Sequence, residues 1–128
     1  MKVLALDYGA ARTGVAVSDA TGTIARPLCV VQRAASEGGL AELRTLVEEH
    51  DVEYVVVGMP LTLRGERGAQ ALETDAFIEA LREAVGVPVA TYDERFTTTL
   101  AARGGGESDE DARAAAHLLE SYLQSASR

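Results

Sequence analysis

Cysteine is almost missing from this chain. Cys29 stands alone in 128 residues, which excludes an intrachain disulfide and a cysteine metal cluster. It reads as a small buried apolar group, since nothing nearby offers a base that would make it a nucleophile. Long apolar runs are missing too. None approaches the roughly 18 residues of a membrane span, and charge and a turn occupy the N-terminal stretch where a signal peptide has its apolar region. The expectation is a cytoplasmic protein with no membrane partner. Positive charge is scarce: 12 basic residues face 20 acidic ones, for a net charge of -8, so the average field repels nucleic acid. Local sign differs from net sign, however. Acid gathers on candidate helices (Glu42, Glu48, Glu49, Glu73, Asp75, Glu79, Glu83), whereas Arg12, Arg64, Arg67, Arg95 and Arg103 fall in or beside loops. All the basic residues but Lys2 are Arg, the side chain suited to bidentate phosphate contacts.

What is present is enough apolar residue, 47%, for one substantial core, and one domain spanning residues 1–128 is expected. Val3–Leu6 and Val15–Val17 flank a turn containing Gly9 and Gly14, which predicts a buried β-hairpin. The first run ends on Asp7, in line with Val3 and Ala5 on one face. A carboxylate there is costly unless it is paired or holds a metal; alternatively it caps the turn by accepting from the amides of Gly9 or Ala10. Thr23–Arg33 is a third strand candidate, with Pro27 marking a bulge or the strand's start, so the first three strands form an antiparallel meander. Ser36 can cap a helix to about His50, with Leu40, Leu43, Leu46 and Val47 at helical spacing. Val52–Val57, ending at Gly58, has the continuous apolar pattern of a parallel strand buried on both faces.

The loop MPLTLRGERG leads to a helix at about Ala69–Val85, its apolar side comprising Leu72, Ala76, Phe77, Ala80, Leu81 and Ala84. Val87–Tyr92 is a short fifth strand, whose Pro88 suits an edge, and it runs into Asp93 and Glu94. Ser108 can cap a last helix to about Gln124. Asp111, Ala114, Ala115, Leu118, Leu119 and Tyr122 share its apolar side, while Glu110, Arg113, His117 and Glu120 take the solvated side. Asp111 is either a capping residue in a Ser-x-x-Asp box, favoured by the helix dipole, or a site carboxylate carried on the inward stripe.

Three carboxylates, Asp7, Glu94 and Asp111, thus begin or end elements that could meet. Hard oxygen ligands suit Mg²⁺ or Mn²⁺ rather than zinc, and no His-x-x-x-His or Cys pair competes. One ion or two could bind such groups, and two could activate water and stabilise a leaving oxygen in phosphodiester cleavage.

Four segments carry a resemblance: LALDYGAARTGVAVSD (Leu4–Asp19), VVVGMPLTLRGERG (Val55–Gly68), YDERFTTTLA (Tyr92–Ala101) and DARAAAHLLESYL (Asp111–Leu123). In this order, and spread over essentially the whole chain, they resemble the YqgF family, whose members carry the provisional names of pre-16S rRNA nucleases and Holliday junction resolvases. The resemblance implies an α/β, ribonuclease H-like fold: a five-stranded mixed sheet, three antiparallel strands then two parallel ones, with helices on both faces. It implies Asp7, Glu94 and Asp111 as catalytic and metal-binding acids, with Mg²⁺ or Mn²⁺ as cofactor. Structured RNA (a ribosomal RNA precursor) or branched DNA is the implied partner, with water as nucleophile and 5′-end maturation of the 16S rRNA precursor favoured over junction resolution.

Arg12, Arg64, Arg67, Arg95, Thr97 and Thr98 are candidate nucleic-acid contacts, although Thr97 can equally cap a short helix, Thr97–Arg103. Gly58 and Pro60 shape the loop after the fourth strand, Asp93 reads as structural, Asp19 as a strand-end turn residue, and His50 and His117 as solvated. One departure stands out. GGGESDE, just before Asp111, carries Glu107, Asp109 and Glu110 and no basic residue, where the family often has basic ones, which counts against tight binding of long nucleic acid. No clear dimer interface is visible, so a monomer or weak homodimer is expected. Two rivals use the same residues. DYGAARTGVAV also resembles the first phosphate loop of actin-like and sugar-kinase ATPases, though the chain has the length of only one of their halves; and a non-catalytic RNA-binding or ribosome-assembly factor could share the fold.

Overall fold

The computed structural model describes residues 1–59, 68–93 and 108–126. Its elements run β1 (Val3–Asp7), β2 (Arg12–Ser18), β3 (Ala25–Gln32), α1 (Glu37–Glu49), β4 (Tyr54–Met59), α2 (Ala69–Val85), β5 (Val89–Asp93) and α3 (Ser108–Ala126). The strands form one mixed sheet in the order β3-β2-β1-β4-β5, with β1–β2 and β2–β3 antiparallel and β1–β4 and β4–β5 parallel. This is the expected α/β architecture: three antiparallel strands, then two parallel ones.

The central strands read as continuous apolar runs because both their faces are covered. Leu4, Leu6, Val55 and Val57 point into a core shared with Leu43 and Val47 of α1 and Phe77, Ile78 and Leu81 of α2. Val3, Ala5, Ala16 and Val56 point the other way, against Ala115, Ala116, Leu118 and Leu119 of α3. The two layers differ in grain. Leu and Phe fill the first, whereas alanines meet alanines in the second, so α3 lies close to the sheet.

Local signals place most boundaries. Ser36 accepts from the Gly39 amide at 3.0 Å, an N-cap worth about 1 kcal/mol. Gly86 closes α2 in the left-handed conformation at φ 72°, where a Cβ is strained. The β2–β3 register slips between Val15 and Ala16, which pair with Cys29 and Pro27. Leu28 is therefore the extra residue of a bulge beside Pro27, on an edge strand where a missing N–H is tolerated.

Four expectations need correction. Gly14 lies inside β2, paired with Asp7, not in the turn. β4 runs through Gly58 to Met59, because its pairing with β5 extends to Asp93. Cys29 is half-buried rather than buried, since it sits on edge strand β3. Finally, Leu72 is 63% exposed and Ala76 is exposed; the buried stripe of α2 is Ala71, Thr74, Phe77, Ile78, Leu81 and Val85. Apolar residues almost encircle this helix, so periodicity left its phase ambiguous. Stacking of Phe77 on Tyr8, with centroids 4.3 Å apart and planes 14° apart, selects the phase and turns Leu72 about 100° off the stripe. No helix of the described residues is long and apolar enough to cross a membrane.

This phase has a direct test in chemical denaturation. Leu81→Ala should cost about 2–5 kcal/mol, whereas Leu72→Ser should stay within about 0.5 kcal/mol of the parent.

Candidate active site

Asp7 is the last residue of β1, and its cross-strand partner is Gly14. By strand alternation Asp7 follows Val3 and Ala5 onto the face covered by α3. A Cβ built on Gly14 would overlap the backbone carbonyl oxygen of Asp111. The first turn of α3 is thus seated on the one residue of β2 that has no side chain, directly beside Asp7. Paired Cα atoms of antiparallel strands lie about 4.5–5.5 Å apart, so Gly14 is the shared neighbour of Asp7 and Asp111, residues 104 positions apart. The close approach needs glycine for its missing Cβ, not for an unusual dihedral.

Arg12 opens β2 with the same parity as Gly14 and Ala16, hence on the α3 face. Its Nε lies 3.1 Å from Asp111 Oδ2, the side chains being 36% and 26% exposed. Oδ2 itself is sealed from solvent, and the Arg12 contact is not aligned as a hydrogen bond. The pair is therefore an ion pair held by proximity. The first turn of a helix adds partial positive charge that favours the Asp111 carboxylate. Arg12, a candidate nucleic-acid contact, faces the Asp111 carboxylate in this structure. No sequence signal links two residues so far apart.

Other candidates separate. The Gly9 amide, one of the donors a turn-capping Asp7 would use, points to Thr13 Oγ1 at 3.4 Å. Asp93 shares the parity of Val89, which packs into the α1/α2 layer, and so takes the face opposite Asp7. Asp19 is a turn residue: its carboxylate accepts from Thr21 Oγ1 at 2.6 Å, the Thr23 amide at 2.7 Å and the Ile24 amide at 3.0 Å. These bonds, the Ile24 amide first, hold its pKa well below the carboxylate range. His117 pairs with Glu120 at 3.6 Å on the exposed side of α3. Glu94, Arg64, Arg67, Arg95, Thr97 and Thr98 lie outside the described residues, as do Pro60 and the expected helix Thr97–Arg103.

Parallel β1, β4 and β5 end at the same edge of the sheet, which is the end that carries Asp7. Among the described residues no group of three His, Cys, Asp or Glu side chains could hold a metal ion. The pair that is described fits one in kind: two hard carboxylates on residues that both neighbour Gly14, one with a buried oxygen lacking an aligned donor.

A family model described as RuvX, Holliday junction resolvase, matches residues 1–125. The chain belongs to this family. It is the family that the four segments resemble under the name YqgF. Relatives match three quarters or more of the chain. A Syntrophomonas wolfei protein is 38% identical over 136 residues, covering 99% of this chain and 96% of its own length. A Chloroflexus aurantiacus protein is 46% identical over 99 residues, which is 77% of this chain and 65% of that protein. Both carry the provisional name pre-16S rRNA nuclease. Among solved structures, T. thermophilus RuvC in complex with a Holliday junction substrate superposes with a TM-score of 0.64 at 20% identity, covering 99% and 96% of the two chains. That likeness carries the fold, which is ribonuclease H-like.

Two outcomes are expected from the geometry. Gly14→Ala should push α3 off the sheet and cost at least about 1–3 kcal/mol in thermal or chemical denaturation. Asp19→Asn should lower the melting temperature at neutral pH. A depressed folded pKa contributes stability above the unfolded carboxylate value, about 3.9, and loses it as pH falls toward the folded value. The gap between variant and parent should therefore narrow below about pH 4.

Proposed function

We propose that this protein is a divalent-metal-dependent endonuclease that hydrolyses phosphodiesters in structured nucleic acid, its leading substrate being the 5′ end of the 16S rRNA precursor. The observation that supports the reading is the seating of the Asp111 backbone on Gly14, the cross-strand neighbour of Asp7, so that two acidic residues share one face at one sheet end. Membership of a nuclease family supports the reaction class. Relatives named for pre-16S rRNA over nearly full length support the RNA substrate. The family's own description favours the alternative, resolution of Holliday junctions.

In this reading Asp7, Asp111 and Glu94 hold Mg²⁺ or Mn²⁺. Such an ion would supply Lewis acidity, activating water and offsetting the negative charge of the scissile phosphate and its leaving group. The chain's own residues supply position. Asp7 is fixed by the β1–β2 ladder, and Asp111 by the contact of α3 with Gly14. The sealed environment of Asp111 Oδ2 strengthens its interaction with any cation that reaches it. Arg64, Arg67, Arg95, Thr97 and Thr98 serve as phosphate contacts that set register along the backbone. No side-chain nucleophile is needed, so the reaction is a one-step in-line displacement.

The test is cleavage of a 5′-extended 16S rRNA precursor and a four-way DNA junction, side by side, with Mg²⁺, Mn²⁺ or EDTA. Cleavage should require the ion and fall by about 100-fold or more in Asp7→Asn, the scale for losing one preorganised charge-stabilising group. The substrate cut faster decides between rRNA maturation and junction resolution. Cleavage of neither, or cleavage that survives Asp7→Asn, shifts the reading to a non-catalytic nucleotide- or RNA-binding factor.

A further inference from the structure

The Arg12–Asp111 pair sets a cation against a carboxylate that the proposed function assigns to a metal. Three features of it bear on how a metal would arrive. The contact is close, 3.1 Å from Arg12 Nε to Asp111 Oδ2, yet it lacks hydrogen-bond alignment, so it is weaker than a directed, charge-assisted bond. The Asp111 oxygen facing the guanidinium is sealed from solvent, so Arg12 stands where an approaching cation would meet it. Arg12 itself is 36% exposed, which leaves its side chain room to swing outward, while the Asp111 backbone is pinned against Gly14 and has no such freedom.

We propose that Arg12 is a positioning residue that holds the Asp111 carboxylate in the metal-free protein, yields Oδ2 to an incoming divalent cation, and is thereby released toward the phosphate of the substrate. This rests on the metal-dependent reading of the site. The physics is competition between cations. A guanidinium and a divalent ion cannot share one carboxylate oxygen without repulsion, so each weakens the other's hold, and by linkage the effect is reciprocal. Arg12 therefore lowers metal affinity in the absence of nucleic acid. With substrate bound, the displaced guanidinium gains a phosphate partner and the competition is relieved. Metal binding and substrate binding then support each other through one side chain, even though the protein's net charge is -8.

The experiment uses the full chain without nucleic acid and has two readouts. Calorimetric titration with Mn²⁺ compares the wild type with Arg12→Gln; the variant should bind about 3- to 10-fold tighter, the range set by losing one nearby, partly screened charge. In parallel, the Arg12 Nε–H signal of the wild type, assigned by its absence in Arg12→Gln or, should that variant not fold, in Arg12→Lys, is followed during a Mg²⁺ titration. It should shift in step with occupancy. A merely structural clamp between β2 and α3 predicts otherwise: a lower melting temperature for Arg12→Gln, unchanged Mn²⁺ affinity and a stationary Nε signal, and that result overturns the proposal. Mn²⁺ binding of equal strength in both proteins removes only the role of Arg12. Absence of Mn²⁺ binding by the wild type removes the metal-dependent reading with it.

Discussion

The contact on which the arrangement depends is between the backbone carbonyl of Asp111 and the bare Cα of Gly14. It sets the height at which α3 sits over the sheet and therefore the depth at which Asp111 enters. The alanine layer continues this close approach: Ala5 and Ala16 pair across β1 and β2 and pack with Ala115 and Ala116. At the far end of α3 the fit changes character. Tyr122 lies 6.2 Å from Tyr54 and 5.8 Å, edge-on, from Tyr92, and the Tyr92 hydroxyl meets Ser125 Oγ at 3.2 Å. A helix held close at one end and by aromatic rings at the other has little freedom to slide. Its first turn stays in register with Asp7.

The opposite layer does different work. Larger side chains from α1 and α2 fill it, and burial of each at about 25 cal/mol per Å² provides most of the cohesion. Tyr8, the residue after Asp7, stacks on Phe77, and burial together with the nearby Glu73 raises its pKa. Consecutive residues at the end of β1 thus serve opposite layers: Tyr8 anchors the chain to α2, and Asp7 is presented toward α3. The strand's period of two makes this division automatic.

Electrostatics then sets what the site meets. The protein is strongly acidic overall, but Arg12 brings positive charge against Asp111 at the sheet end. An ion pair with 36% and 26% exposed partners adds only about 0–1 kcal/mol to stability. Its consequence lies in local field: it sets a positive charge directly against the sealed oxygen of a half-buried carboxylate.

Much of this was legible from residues alone. Continuous apolar runs revealed the central strands because burial on both faces leaves no polar alternation; Ser36 announced α1 because an orphan amide needs an acceptor; Pro27 announced either a bulge or the start of β3, because proline has no N–H to give a ladder, and the strand register decided for the bulge. Asp7 and Asp111 were visible as charges on apolar faces, an energetic anomaly that periodicity alone exposes. Periodicity failed where apolar residues surround a helix, as at Leu72 and Ala76, because rotation is then decided by the partner, Tyr8 on Phe77. It also could not show that Arg12 meets Asp111 or why Gly14 is a glycine. By itself, then, the sequence determined the elements, the layers they separate and the carboxylates that could act, since hydration and hydrogen bonding act on each segment locally. Only the tertiary structure decided that Asp111 sits on Gly14 beside Asp7 and that Arg12 faces it, because that depends on how closely two backbones 97 residues apart, at Gly14 and Asp111, can approach.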